Sequence, residues 1–489
     1  MQLTAMAARR PGHGGRLSKT RVFTLGCITF LSGLPVCRPA LAATPGAPHL
    51  QPAWGLPFAG VLLSVALFPM IAPRVWHRHM GLVLAGWVLA LVVPDMALHG
   101  PAAALAEVWH AVLLEYLPFV ILLLALFTTG GGVLISGGPW GRPAGNTLLL
   151  AIGTLLAGVM GTTGAAMVLI NPLLRANAGR RRRRHLVIFL ILLVGNIGGA
   201  LSPLGDPPLY VGFLRGVPFF WPTVNLALPV AAIAGLFLVV FYLLDRRLFA
   251  EEAREAAAPP QPPRQALHLR GWINVALLGV VIATVLGMGF WHPGAVTLAG
   301  QTIGVERLAG MAVMLAVTLV SVAATPPAVR QGNLFTWAPM TEVATLFIAV
   351  FITIGPVIAL LHAGLDGPAA PLLRLIQGPD GHPAPLPMFW LSGGLAAFLD
   401  NAPAYLVFFE LAGGDPSVLT GPLAPVLRAL ACATVFFGGL TYIGNAPNLM
   451  LKSIASHRGV RMPGFFGYML WSCALLLPSL AAIGFLFFR

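Results

Sequence analysis

Hydrophobic residues fill most of this chain in long stretches, separated by short polar connections that carry most of its arginines. The stretches far exceed the ~10 residues a barrel strand needs, and in hydrocarbon every backbone amide must find its partner within the protein, so they predict helices. Spans are expected at about 56–72, 80–97, 108–135, 186–214, 222–244, 272–290, 307–324, 338–362, 425–453 and 465–488. Prolyl turns break two of them, 186–214 and 425–453, near the middle. Two further apolar segments, about 146–174 and 387–412, are interrupted by small and polar residues and read as re-entrant hairpins. The expected fold class is an all-α polytopic membrane protein with inverted repeats, about 10 spans and 2 re-entrant hairpins.

The interruptions recur. The first hairpin tip reads Gly161-Thr162-Thr163-Gly164-Ala165-Ala166, and the first broken helix reads Leu204-Gly205-Asp206-Pro207-Pro208-Leu209. Their counterparts are Leu399-Asp400-Asn401-Ala402-Pro403-Ala404 and Ile443-Gly444-Asn445-Ala446-Pro447-Asn448. Pairing Thr162 with Asp400 gives an offset of 238, and pairing Gly205 with Gly444 gives 239. Interrupted membrane segments at matching positions in two halves point to a transporter built from repeats, with its site at the breaks. The expected organisation is a signal peptide over 1–43, scaffold helices over 44–107, a first repeat over 108–249, a cytoplasmic linker over 250–270 and a second repeat over 271–489.

With 57% hydrophobic and 9% charged residues, the chain must face lipid or itself rather than water. Its net charge of +14 is spread over the connections, which speaks for topology and anionic lipid rather than nucleic acid. Arg9, Arg10, Arg16, Lys19 and Arg21, the apolar run Val22 to Pro35 and the small residues around Ala42 have the layout of a secretory signal, which implies a bacterial inner membrane and an external start. Alternating sides from there places Arg74, Arg78, Arg142, Arg175, Arg246, Arg330 and Arg458 in the cytoplasm, and few basic residues besides Arg215, Arg307 and Arg374 outside. The first hairpin then enters from the cytoplasm and the second from outside. The run Arg180 to Arg184 reads as a topogenic anchor, and the cysteines suggest neither a disulfide framework nor a metal site.

Acids within apolar spans are costly and need a reason. Asp206 precedes two prolines that remove amide donors, which leaves free carbonyls beside a carboxylate at mid-membrane; Asp400, at the opposing tip before Asn401 and Pro403, supplies a second such group. Thr162, Thr163, Asn196, Ser202, Asn401, Thr441, Asn445 and Asn448 add neutral oxygens suited to a hard cation such as Na⁺. Helix capping is the bland alternative for the aspartates. Glu342 and Glu115 are candidate proton relays, Glu410 lies near the outer end of the second hairpin, and histidines such as His362, near span ends, read as solvated.

The stretch from Gly195-Asn196-Ile197-Gly198-Gly199 to Asp206-Pro207-Pro208, together with Phe398-Leu399-Asp400-Asn401-Ala402-Pro403, resembles the ion transporter superfamily. Its NhaD-like sodium/proton antiporters and CitMHS-like citrate transporters are the most similar branches. The resemblance implies inverted repeats, a substrate at the hairpin tips and a homodimer whose transport domain moves against a scaffold. The superfamily's dicarboxylate carriers have Ser-Asn-Thr at both tips, and this chain has it at neither. The expected activity is Na⁺ or Li⁺ exchange for protons at Asp206 and Asp400, with no cofactor beyond the transported ions. The alternative is Na⁺-coupled symport of citrate or another organic anion. An enzyme is not expected, because no zinc motif, Ser/His pair or phosphate loop is visible.

Overall fold

The computed structural model describes residues 51–255, 266–379 and 381–489. The expected signal peptide and the middle of the expected linker lie outside these residues. The helices that build the bundle are α1 (Leu56–Ile71), α2 (Pro73–His99), α3 (Pro101–Gly131), α4 (Pro143–Met160), α5 (Thr162–Ala176), α6 (Arg184–Leu193), α7 (Pro207–Leu214) and α8 (Trp221–Glu255). They continue as α9 (Ile273–Phe290), α10 (Val305–Ala324), α11 (Ala338–Thr353), α12 (Gly355–His362), α13 (Pro385–Phe398), α14 (Asn401–Leu411), α15 (Ala424–Phe437), α16 (Ala446–His457) and α17 (Phe465–Phe487). Among the described residues nine helices are long and apolar enough to cross a membrane, and α11 with α12, bent by 41°, brings the number to ten if the pair is one span. The fold is an all-α polytopic membrane protein.

The two interrupted cassettes have the same local construction. After α6 the chain forms one 3₁₀ turn, Ile197–Leu201, is extended at Ser202, turns over residues 203–205 and is extended again at Asp206, before Pro207 and Pro208 start α7. After α15 a 3₁₀ turn, Gly438–Leu440, leads to extended Thr441, and Asn445 precedes the start of α16. Asp206 (φ −142°, ψ 145°) and Asn445 (φ −156°, ψ 137°) have matching backbone angles. Each break must settle its own peptide groups, since hydrocarbon offers no water. Ser202 Oγ donates to the Gly158 carbonyl and accepts from the Leu204 amide, while Thr441 Oγ1 donates to the Ala397 carbonyl and accepts from the Ile443 amide. One hydroxyl thus staples each broken helix to the first arm of its own hairpin.

Some helices extend beyond the apolar stretches that announce them. Polar Arg74, His77 and Arg78 belong to the first turns of α2, with Trp76 among them buried. Helix α8 runs on to Glu255 because Asp245 and Glu252 face Arg180, so residues 250–255 are helical. Further on, β2 (His268–Arg270) pairs antiparallel with β1 (Leu134–Ser136), joining the entry to the second half with the connection after α3. Asn274 of α9 donates to the Gly132 carbonyl at 2.9 Å and to Thr325 at 2.8 Å, and accepts from Ser321 of α10 at 2.6 Å. Gly130 of α3 lies so close to α5 that a Cβ there would stand 2.6 Å from Gly164 Cα.

A Cβ on Gly205 would overlap the Gly199 carbonyl, a backbone atom that cannot turn aside. Gly205→Ala is therefore expected to cost about 1–3 kcal/mol and to lower the unfolding midpoint in detergent. Gly279→Ala, where nothing lies within 4 Å of the added carbon, is expected to leave that midpoint unchanged or slightly raised.

Candidate functional site

The four interrupted segments converge. Thr162 begins α5, its amide donating to the Gly205 carbonyl at 2.8 Å, so the first tip sits on the first break. Asp206, 2% exposed, accepts from Thr162 Oγ1 at 2.9 Å and Asn445 Nδ2 at 3.0 Å on one oxygen, and from Asn401 Nδ2 on the other. The single carboxylate thus gathers the first tip, the second tip and the second break.

A shift of 239 residues relates every element of this centre: Gly158 to Ala397, Thr162 to Asn401, Ser202 to Thr441, Gly205 to Gly444 and Asp206 to Asn445. The four residues in contact are therefore two symmetry pairs. This corrects the expected pairing of Thr162 with Asp400, because Asp400 corresponds to Gly161. The two aspartates do not occupy equivalent positions: each repeat carries one, in a different part of the cassette. The backbone explains the difference. Gly161 has φ 79°, a region where a side chain strains the main chain, whereas Asp400 has φ −60° and tolerates one.

A cavity opens beside this centre. Thr162, Thr163, Asp206, Asp400 and Asn445 line its polar side, and Leu122, Leu126, Phe127, Met340 and Phe347 its apolar side. Among the described residues its charged lining groups are Asp206 and Asp400, with no Arg, Lys or His. Asp400 precedes the first turn of α14, beside the amides of Asn401 and Ala402. Carboxylates, hydroxyls and amides in a mostly apolar chamber form a hard-oxygen donor set of the kind a small cation prefers.

The other sequence candidates have different places. Ser202 and Thr441 staple the breaks. Asn196 donates to Asn448 Oδ1 at 2.9 Å and accepts from Asn445 at 3.2 Å, and Asn448 donates to the Gly438 and Thr441 carbonyls at 2.8 and 2.9 Å. These asparagines hold the two breaks together from behind the cavity. Glu342 is exposed on α11 between the lining residues Met340 and Val343. Glu115 lies away from the cavity in a π turn, Ala111–Tyr116, and pairs with Arg215 at 3.0 Å.

Against this geometry, the model of a family described as putative citrate transport matches residues 47–488. The chain belongs to this CitMHS_2 family. No curated protein matches it. The CitMHS_2 match takes in both hairpins and both broken helices, so the whole centre lies within the family's own segment.

Two polar clusters in this CitMHS_2 chain escaped sequence reasoning. Arg180, the first residue of the expected topogenic anchor, is 4% exposed and pairs with Asp245 at 2.6 Å and Glu252 at 3.3 Å. The rest of the run, Arg181 to Arg184, is exposed or half-buried. His362 is not simply solvated, since its Nε2 faces Glu410 Oε2 at 3.0 Å. The partners in these clusters are distant in sequence, so no local pattern announces them.

Removing the Asn445 amide strands the Gly195 carbonyl, to which it donates at 3.1 Å, and takes one of two donors from an Asp206 oxygen that keeps Thr162. Asn445→Leu is expected to cost about 1–3 kcal/mol for the stranded carbonyl and to appear as a lowered unfolding midpoint with no shift in oligomer size on gel filtration.

Proposed function

We propose that the protein is a secondary active transporter exchanging Na⁺ or Li⁺ for protons, with Asp206 and Asp400 loading cation and protons in turn. One observation carries this reading: among the described residues the charged groups lining the cavity are two carboxylates, with no basic residue to offset them. An organic polyanion entering there meets like charge, whereas a cation meets two attractive groups and neutral oxygens from Thr162, Thr163 and Asn445. Burial favours the neutral acid and a bound cation favours the carboxylate, so metal and protons compete for the same groups. That competition is the essence of antiport.

In this reading Thr162, Asn401 and Asn445 hold Asp206 in place when no metal is bound, and release of any one of those bonds frees a lone pair for the ion. The protein works in the bacterial inner membrane as a homodimer, with the lipid bilayer as its other partner and no resident cofactor. Each elementary charge moved is worth about 2.3 kcal/mol per 100 mV, so an inside-negative potential drives unequal exchange when both acids are protonated. The family's description favours a second reading, Na⁺-coupled import of citrate or another organic anion, in which the same carboxylates bind the coupling ion.

In proteoliposomes with an imposed pH gradient and an internal pH dye, Na⁺ or Li⁺ alone is expected to collapse the gradient. Asp206→Asn and Asp400→Asn should each slow that response at least about tenfold, since each removes one charge from a site that needs both, while insertion and gel-filtration profile stay unchanged. Silence toward cations together with Na⁺-dependent citrate uptake would replace antiport by symport.

A further inference from the structure

Arg215 and Glu410 occupy the far ends of the two short helices that start at the cavity. Helix α7 begins after Asp206 and is capped at its end by Arg215; α14 begins at Asn401 and carries Glu410 as its penultimate residue. With 8 residues in α7 and 11 in α14, the separation along each is about 12–16 Å at 1.5 Å per residue. Arg215 Nη1 donates to Glu410 Oε1 at 2.6 Å and Arg215 Nη2 to Glu115 Oε1 of α3 at 3.0 Å, while His362, at the end of α12, faces Glu410 Oε2 at 3.0 Å. One cluster therefore ties α7 of the first repeat and α14 of the second to α3 and α12.

We propose that Arg215, Glu115, Glu410 and His362 form a proton-operated latch that locks the two site helices to α3 and α12. Three observations carry it. First, the charges do not balance without His362: Arg215 is one cation against two carboxylates, and a proton on the imidazole closes the sum. Second, Glu410 is 3% exposed and sits at the negative end of the α14 dipole, so its carboxylate depends on Arg215 and His362 rather than on water. Third, the cluster is incompletely satisfied. Glu115 Oε2 is buried with no hydrogen-bond partner among the described residues, and the His362 ring, 54% exposed, communicates directly with solution.

A second cluster of the same composition supplies the contrast. At the base of the first hairpin, Arg180 pairs with Asp245 and Glu252, and His185 faces Asp245 at 2.8 Å. There every side chain is 6% exposed or less, Asn146 adds a bond to Asp245 at 2.9 Å, and the Arg182 amide adds one to Glu252 at 2.6 Å. One Arg, two acids and one His are thus sealed at one hairpin and open to solvent at the other.

The remaining groups around the latch are accounted for. His110 approaches Glu115 from the same span, and Arg307 of α10 points to the Leu214 carbonyl at 3.4 Å. Asp415 is bonded to the amide and hydroxyl of Ser417 at 2.8 and 2.6 Å. Gly414, at φ 67°, leaves the space that the Glu410 carboxylate and His362 share; a Cβ there would stand 3.4 Å from His362 Nε2.

The sign follows from the charge count. A histidine stabilised by a carboxylate contributes while it is protonated and stops contributing as pH rises through its range, so the latch holds in acid and loosens in mild alkali. This does not depend on which solute occupies the cavity. The test is hydrogen exchange of the full-length protein in nanodiscs at pH 5.5 and 8.0, read in peptides covering 207–217 and 401–414 and corrected for intrinsic rates. The wild type is expected to exchange at least about fivefold faster at the higher pH. His362→Gln, an exposed change that leaves folding intact, should remove that dependence, and Glu115→Gln, which balances the charge without the proton, should keep both peptides protected at both pH values. Equal wild-type protection at the two pH values, or an unaltered pH dependence in His362→Gln, would overturn the latch.

Discussion

A helix that stops halfway through hydrocarbon leaves peptide groups that nothing outside the protein can satisfy. This constraint organises the centre of the molecule. Ser202 and Thr441 bridge each break to its own hairpin, Asn196 and Asn448 bridge the breaks to one another, and Asn445 serves both a break carbonyl and the Asp206 carboxylate. Because the interruptions are stabilised chiefly by each other, the four segments that carry them must meet at one place. The cavity forms where they do, and its polar wall consists of the groups that the breaks and tips present.

The sequence was legible where chemistry and local backbone preference coincide. Proline after Asp206 and after Asn445, the recurrence of Gly205 as Gly444 and the small and polar residues interrupting both tips announce the broken helices, the hairpins and the family. The register at the tips was off by one residue, since Gly161 and Asp400 share a backbone role but not a φ angle, and residue type gives no direct view of that angle. The ion clusters were illegible for another reason. Arg180 meets Asp245 across 65 residues and Arg215 meets Glu410 across 195, distances at which neither periodicity nor spacing carries information. Likewise the first turns of α2 and the end of α8 are held by tertiary contacts of Trp76, Asp245 and Glu252, which hydropathy alone does not register.

The apolar side of the cavity has its own logic. Residues of α3 and α11 such as Leu126, Phe127 and Met340 face the polar tips without bonding to them, so the contact between the two sides is governed by fit rather than by directional bonds. Gly130 against Gly164 carries this to the limit, backbone on backbone. The directional contacts gather instead at the ends of the site helices, where Arg215 and Glu410 are found.

The offset of 239 residues that maps Thr162 onto Asn401 and Asp206 onto Asn445 also bears on ancestry. Two copies of the first half, related by the same axis, would set one aspartate against another with threonines beside them and no amide to donate. Two copies of the second would bring together four amide side chains, with carboxylates only at the neighbouring Asp400 positions. Only unlike halves place a single carboxylate among amide donors. Joining the halves in one polypeptide guarantees that unlike partners always meet.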